Sequence, residues 1–553
     1  MGIPSYFSYI VKNHPNIIKK LDTLVQINNF YLDSNSIIYD ELRQLSHKFT
    51  GDNKSFEHLL INAVISKINE YIEIIQPDGI VIIAFDGVAP LAKLEQQRSR
   101  RYKSNLFDQI KRRLVMGSDT HSSHTTHSLQ WDKTAITPGT QFMKKLGEKL
   151  QKYYDRGIIA EKFGVRRVIV STSSERGEGE HKIFAYIRKF AKYHKKTTTL
   201  IYGLDADLIM LCLNHLRISE QIYLFRETPE FIRSINANLK PNESYFMDIP
   251  ELANVIVENM HSSSIVNRFN HTIENKWKRL YDYIFICFFL GNDFLPHFPS
   301  VNIRTDGIFI LINAYKHTIG KSTKCLTDGS TINWTNVRQF VKFLAENELS
   351  NLTNEYKKRS GLEKRFYPNK TIKEQLIKLD NIPITCREDE IMIDPFNQNW
   401  ESRYYKKLFE TDRTTSFITR LCVNYMEGLE WVMKYYTVGC PDWRWSYKYH
   451  YPPLWNDLLQ HIPQWNTVMI QENENKNVSE IVQLSYVLPR SSLALLPLKV
   501  KERILDAFPE AYPRECKLHW SFCRYLWESH PALPAINIEQ LERLLMPNYQ
   551  PSN

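Results

Sequence analysis

Two glutamates, Glu178 and Glu180, alternate with glycines in the stretch Ser171-Thr-Ser-Ser-Glu-Arg-Gly-Glu-Gly-Glu-His-Lys-Ile183. The apolar run Val168-Ile169-Val170 before them reads as a buried strand, and Ile183-Phe184-Ala185-Tyr186-Ile187 after them as the inward face of a helix. Both acids therefore sit on a strand-to-helix turn. Gly177 and Gly179 allow the backbone to approach a ligand closely, and carboxylates at a helix start are compatible with its dipole. Such oxygen ligands suit a hard divalent cation. A capped, solvated helix start is the plainer alternative.

Acids recur at equivalent places along the chain. The strand candidate Asn29-Phe30-Tyr31-Leu32 ends at Asp33, Gly79 to Phe85 ends at Asp86, and Thr199 to Tyr202 runs into Gly203-Leu-Asp205-Ala-Asp207. A further acid, Asp293, follows the apolar helix Tyr281 to Leu290. Short Val/Ile-rich runs alternating with helical patterns predict a mostly parallel α/β sheet, whose carboxyl edge is where ligands bind. Asp33, Asp86, Glu178, Glu180, Asp205, Asp207 and Asp293 are expected to converge there. Their mutual repulsion, about 1 to 4 kcal/mol per close pair, calls for cations. Two Mg²⁺ or Mn²⁺ ions roughly 3.5 to 4 Å apart would offset it and polarise a phosphodiester toward attack by water. The expected chemistry is two-metal phosphodiester hydrolysis.

Lys93, Gln97, Arg100 and Arg101 lie on or beside one face of a helix that starts just after Asp86. Charge-assisted contacts from such a cluster can hold a terminal phosphate, although a solvated basic face would share the spacing. His121, His124 and His127 fall in a polar loop without a cysteine or acidic partner in register, which argues against zinc. Thr137-Pro-Gly-Thr140 begins a basic amphipathic helix that runs through Lys152. Aromatics crowd the last part, including Trp431, Tyr435, Tyr436, Trp443, Trp445 and Trp455. Core packing explains most of them, and a minority could stack on bases.

With 553 residues the chain exceeds one ordinary core, and its net charge of +10 suits a polyanionic partner. The expected division is a nuclease core over 1–307, a helical connecting region over 308–396, and an aromatic region over 397–553 packed against the core. The eight cysteines are scattered without a CxxC pair, as expected in a reducing compartment. No secretory signal is expected from the first residues, and the most apolar run is about half the length that spans a bilayer. A soluble intracellular monomer is expected, in the cytoplasm rather than the nucleus.

The chain resembles the catalytic part of the eukaryotic 5′-to-3′ exoribonucleases (XRN type) over nearly its whole length. The resemblance rests on Met1-Gly-Ile-Pro4, Tyr31-Leu-Asp-Ser-Asn35, Phe85-Asp-Gly-Val-Ala-Pro90 with Lys93 through Arg101, Ile136-Thr-Pro-Gly-Thr140, Gly177-Glu-Gly-Glu-His-Lys182, Gly203-Leu-Asp-Ala-Asp207, Gly291-Asn-Asp-Phe-Leu-Pro-His297 and Trp443-Arg-Trp-Ser-Tyr-Lys-Tyr-His-Tyr451. It implies a PIN/flap-nuclease-like core with a helical second region, and the seven acids as the catalytic, Mg²⁺-binding set. It implies that Lys93, Gln97, Arg100 and Arg101 bind the 5′-monophosphate of single-stranded RNA. Tyr39, where the family usually has histidine, and either Trp443 or Trp445 would stack the first bases. The expected activity is 5′-to-3′ exoribonucleolysis releasing nucleoside 5′-monophosphates. A flap-type 5′ nuclease acting on DNA and a non-catalytic RNA-binding protein are the alternatives.

Overall fold

The computed structural model describes residues 2–24, 26–118, 130–155, 157–226, 240, 243–261, 273–473 and 477–546. His121, His124 and His127 lie outside the described residues. Seven strands are β1 (Ile18–Lys20), β2 (Asn29–Asp33), β3 (Ile80–Ala84), β4 (Arg167–Ser171), β5 (Thr199–Tyr202), β6 (Ile222–Arg226) and β7 (Tyr245–Asp248). They form one sheet in the order β1-β7-β6-β5-β2-β3-β4. Strands β2 to β6 are parallel, while β7 pairs antiparallel with β6 and β1 antiparallel with β7. The central sheet is thus mostly parallel, with two short antiparallel strands at one edge.

The strands form because successive side chains serve opposite cores. Along β2, Tyr31 joins one apolar cluster, while Phe30 and Leu32 join the other. Along β3, Ile80, Ile82 and Ala84 alternate with Val81 and Ile83 in the same way. Both faces are covered, so the runs read as continuously apolar. On one face Phe56, Val64 and Ile68 of the helix Asn53–Ile75 and Phe142, Leu146 and Leu150 of the helix Gln141–Tyr154 close the core. Asp52 and Thr140 cap these helices through the backbone N–H groups of Lys54 and Met143. On the other face Ile183, Phe184 and Ile187 of the helix Gly179–Lys189 pack with Leu208 to Leu213 of the helix Asp207–His215.

That second core is continuous with the aromatic region. Trp431, Tyr435 and Tyr436 of the helix Thr415–Thr437 belong to the same apolar cluster as Ile183 and Leu208. Chain order reverses at β2, which has β3 on one side and β5 on the other. In open α/β sheets a ligand crevice forms at such a reversal, outside the carboxyl ends of the strands. Asp33 ends β2 there, and Gly203 to Asp207 follow β5. Among the described residues no helix is long and apolar enough to cross a membrane.

Candidate active site

The glutamate turn is built as its glycines predict. Glu178 occupies the N-cap position of the helix Gly179–Lys189, and Glu180 lies in its first turn. Gly177 takes φ +96°, a left-handed conformation that side chains other than glycine rarely adopt. A Cβ on Gly179 would lie 2.6 Å from Asp33 Oδ1, so only glycine lets this turn reach the end of β2. The Gly179 N–H donates to Asp86 Oδ1 at 2.8 Å, joining the turn to the end of β3 as well. Asn35 completes this corner: its side-chain amide donates to Asp86 Oδ2 and its Oδ1 accepts from the Asp86 N–H. Lys182 braces the turn from behind by donating to the carbonyl oxygens of Phe85 and Thr172, at 2.8 and 2.7 Å.

The seven acids form one electrostatically linked set. Burial, then Asp86, Asp205 and Glu178, push the Asp33 carboxyl well above the usual range. Burial and then Glu178 do the same to Glu180. Asp207, buried and facing Asp293, is pushed up to about 7. Asp293 is held low despite its burial, because Lys93 lies against it. Glu178, Glu180 and His181 bring ligand atoms within 4.8 Å of one another. Among the described residues, Glu180 Oε2 and Asp207 Oδ1 are buried without a hydrogen-bond partner. Crowded carboxylates with unpartnered oxygens fit one or more hard divalent cations.

Lys93 stands at the acidic end of the helix side that carries Gln97, Arg100 and Arg101. Its Nζ lies 2.5 Å from Glu178 Oε2 and 2.8 Å from Asp293 Oδ2. The ammonium is buried and belongs to the acidic cluster, where it offsets part of the repulsion that burial magnifies. Helical spacing correctly puts Lys93, Gln97, Arg100 and Arg101 on one side of the helix Leu91–Ser118. The same spacing cannot tell which end of that side meets the acids. Gln97 is buried, Arg101 is half-buried and Arg100 is exposed, so the row leads outward from the cluster. Among the described residues Gln97 Oε1 and Arg101 Nε have no hydrogen-bond partner, and burial pushes the Arg101 guanidinium down to about 10. Tyr39 is 36% exposed and interacts electrostatically with Arg101.

The two tryptophan candidates separate clearly. Trp445 is 7% exposed, stacks on Trp431 with centroids 5.3 Å apart, and donates through Nε1 to Glu427. Its faces belong to the core. Trp443 is half-buried, with the Arg176 guanidinium 5.4 Å from its ring centroid. Because Arg176 immediately precedes Gly177, Trp443 stands beside the glutamate turn, and its carbonyl accepts from the Leu91 N–H at the start of the basic helix.

The aromatic region also enters the acidic cluster directly. Tyr435 donates to Glu178 Oε1 at 2.7 Å, and the buried Tyr436 hydroxyl interacts electrostatically with Asp207. Sequence reasoning counted these tyrosines only as aromatics. Their tandem placement is the one signal they carry, and their acidic partners lie more than 200 residues away in the chain.

Residues 1–228 match the family model for the XRN 5′-3′ exonuclease N-terminus, and residues 275–388 and 385–550 match the Xrn1 helical domain. The chain belongs to the XRN 5′-3′ exonuclease family. It is 27% identical to a 5′-3′ exoribonuclease 2 homolog of Drosophila melanogaster, over 99% of this chain and 71% of that protein. Identity to 5′-3′ exoribonuclease 1 of Saccharomyces cerevisiae is 25%, over 99% of this chain and 43% of the yeast protein. For human 5′-3′ exoribonuclease 1 it is 26%, over 98% of this chain and 34% of the relative.

Raised carboxyl pKa values give cation binding a definite pH dependence. A metal ligand must be ionised, so if Asp207, with its carboxyl pushed up to about 7, and Glu180 hold a cation, protons compete with it. Affinity therefore falls as pH drops through 7. If one proton is displaced per ion, calorimetric Mn²⁺ affinity should weaken about tenfold between pH 7 and pH 6. An affinity that is flat over this interval would contradict the assignment of these two acids as ligands.

Proposed function

We propose that this chain hydrolyses single-stranded RNA from a 5′-monophosphate end, one nucleotide at a time, releasing nucleoside 5′-monophosphates. The observation that carries the reading is the adjacency of two features: buried acids at the switch of the sheet, and a basic helix side leading outward from them. Membership of the XRN family, with relatives named as 5′-3′ exoribonucleases, supports the same conclusion.

Two Mg²⁺ or Mn²⁺ ions held by Asp33, Asp86, Glu178, Glu180, Asp205, Asp207 and Asp293 would supply Lewis-acid polarisation of the phosphodiester, activation of water and charge neutralisation. The chain's own residues do the rest. Gln97, Arg100 and Arg101 grip the terminal phosphate through directed donors, setting the next phosphodiester against the acids. Tyr39 and Trp443 stack the leading bases. Water forms the new bond to phosphorus as the bond to the 3′ oxygen of the first nucleotide breaks, and that oxygen takes up a proton. The scissile phosphate stays on the following nucleotide, so each turnover regenerates a 5′-monophosphate end. A terminal triphosphate or cap presents bulk and charge that a site for one phosphate does not match.

Removing one guanidinium tests the pocket. Arg100→Ala should reduce the preference for 5′-monophosphate over 5′-hydroxyl RNA by about tenfold or more, corresponding to about 1.4 kcal/mol of lost charged contact. Rates on the two RNAs at matched Mg²⁺ give the ratio, and a ratio equal to that of the parent would remove Arg100 from the pocket.

A further inference from the structure

The helix Thr415–Thr437 lies outside the sheet that supplies six of the seven acids, yet it touches two of them from adjacent positions. Tyr435 and Tyr436 are 3% and 2% exposed, and their rings are fixed by packing. The Tyr435 ring stacks on His181 with centroids 3.7 Å apart and on Trp431 at 4.7 Å, with Phe294 against its edge at 5.5 Å. The Tyr436 ring lies 5.5 Å from Phe288 and 6.2 Å from His181. Consecutive residues on a helix diverge by about 100°, so the two phenols straddle His181 and reach different acids. One hydroxyl donates to Glu178, which follows β4, and the other is coupled electrostatically to Asp207, which follows β5.

A carboxylate has about four lone-pair positions, and a phenol occupies one without neutralising the charge. On Glu178 the Tyr435 hydroxyl holds Oε1 while Lys93 lies at Oε2. Asp207 is coupled electrostatically to the buried Tyr436 hydroxyl, and among the described residues its Oδ1 is buried without a hydrogen-bond partner. Each acid thus has a packed phenol beside it, with a hydrogen bond at Glu178, and keeps its negative charge.

We infer that Tyr435 and Tyr436 are positioning residues of the acidic centre, their paired hydroxyls orienting Glu178 and Asp207 for a divalent cation. This makes docking of the aromatic region a condition of cation binding, and it rests on the metal-ion reading proposed above. Tyrosine is required for its hydroxyl, because phenylalanine would supply the same stacking.

Tyr435→Phe, Tyr436→Phe and the double variant, each in the full chain, test this. Mn²⁺ binding is measured by calorimetry without RNA, and the melting temperature is recorded with and without Mg²⁺. Loss of partners that orient metal ligands typically weakens affinity by 10- to 100-fold, so each single variant should bind Mn²⁺ on the order of tenfold more weakly. The Mg²⁺-induced rise in melting temperature should shrink, and RNA affinity in chelator should stay unchanged. A double variant that binds Mn²⁺ as tightly as the parent would overturn the inference, even if its melting temperature were lower in every condition. Absence of Mn²⁺ binding by the parent chain would refute the metal-ion reading itself and this inference with it, a failure visible before any variant is made.

Discussion

Asp207→Asn should lose at least about a thousandfold of the cleavage rate, equivalent to about 4 kcal/mol of transition-state stabilisation, while single-stranded RNA still binds. The substitution keeps the side-chain volume and leaves an oxygen beside the Tyr436 hydroxyl, so packing at this buried position survives. What it removes is charge. Asp207 faces Asp293 within the linked acid set and, among the described residues, carries an oxygen with no hydrogen-bond partner, so an amide there should take a ligand from the proposed cation site without breaking the fold. Replacing a crowded acid with a neutral group also relieves repulsion, and the metal-free melting temperature should hold or rise. Single-turnover assays at saturating Mg²⁺ read the rate. Retention of more than a tenth of the activity would exclude Asp207 from the catalytic set.

The second large effect concerns stability. Glu390 lies between two buried arginines: Arg359 donates to it through Nε and Nη2 at 2.9 and 2.6 Å, and Arg387 through Nε at 2.6 Å. The Phe522 N–H donates to the same carboxylate at 2.8 Å, and Arg359 also donates to the Cys523 carbonyl at 2.9 Å. One acid therefore ties the helices Glu348–Glu363 and Glu388–Ile393 to the segment near residue 522. Glu390→Ala would leave two guanidinium groups in the interior with their shared counter-ion gone. Breaking a buried pair from one side costs about 3 to 5 kcal/mol, because the surviving charge stays desolvated. A fall in melting temperature of several degrees or more is expected, measured by scanning calorimetry at one scan rate. A shift within one degree would show that the remaining groups, including Glu363, which Arg387 contacts at 3.1 Å, carry the compensation.

The parts of this molecule that were legible in sequence share one property: their signal is local. Strands β2 to β5 announce themselves as short apolar runs with an acid at or just beyond the carboxyl end. Strands β1, β6 and β7 span three to five residues and form one side of the sheet; the acid that ends β7, Asp248, caps the following helix through the Glu251 N–H and takes no part in the cluster. Lys93 shares a helix side with Arg100, yet its position near the start of that helix puts it among the acids. Trp443 and Trp445 are two residues apart in an irregular segment, where no periodicity decides which ring faces inward. Tyr435 acquires its significance only from Glu178, 257 residues earlier. In each of these cases tertiary packing supplies the missing information, and local pattern cannot.

The reading of the acidic centre and its basic helix is tested most directly on one single-stranded RNA prepared with 5′-monophosphate, 5′-triphosphate and 5′-hydroxyl ends, labelled at the 3′ end, with and without Mg²⁺. The expected result is Mg²⁺-dependent loss of the monophosphate RNA, with nucleoside 5′-monophosphates as the product and little reaction at the other two ends. Equal degradation of all three ends, or cleavage of flap DNA with the monophosphate RNA left intact, would contradict it.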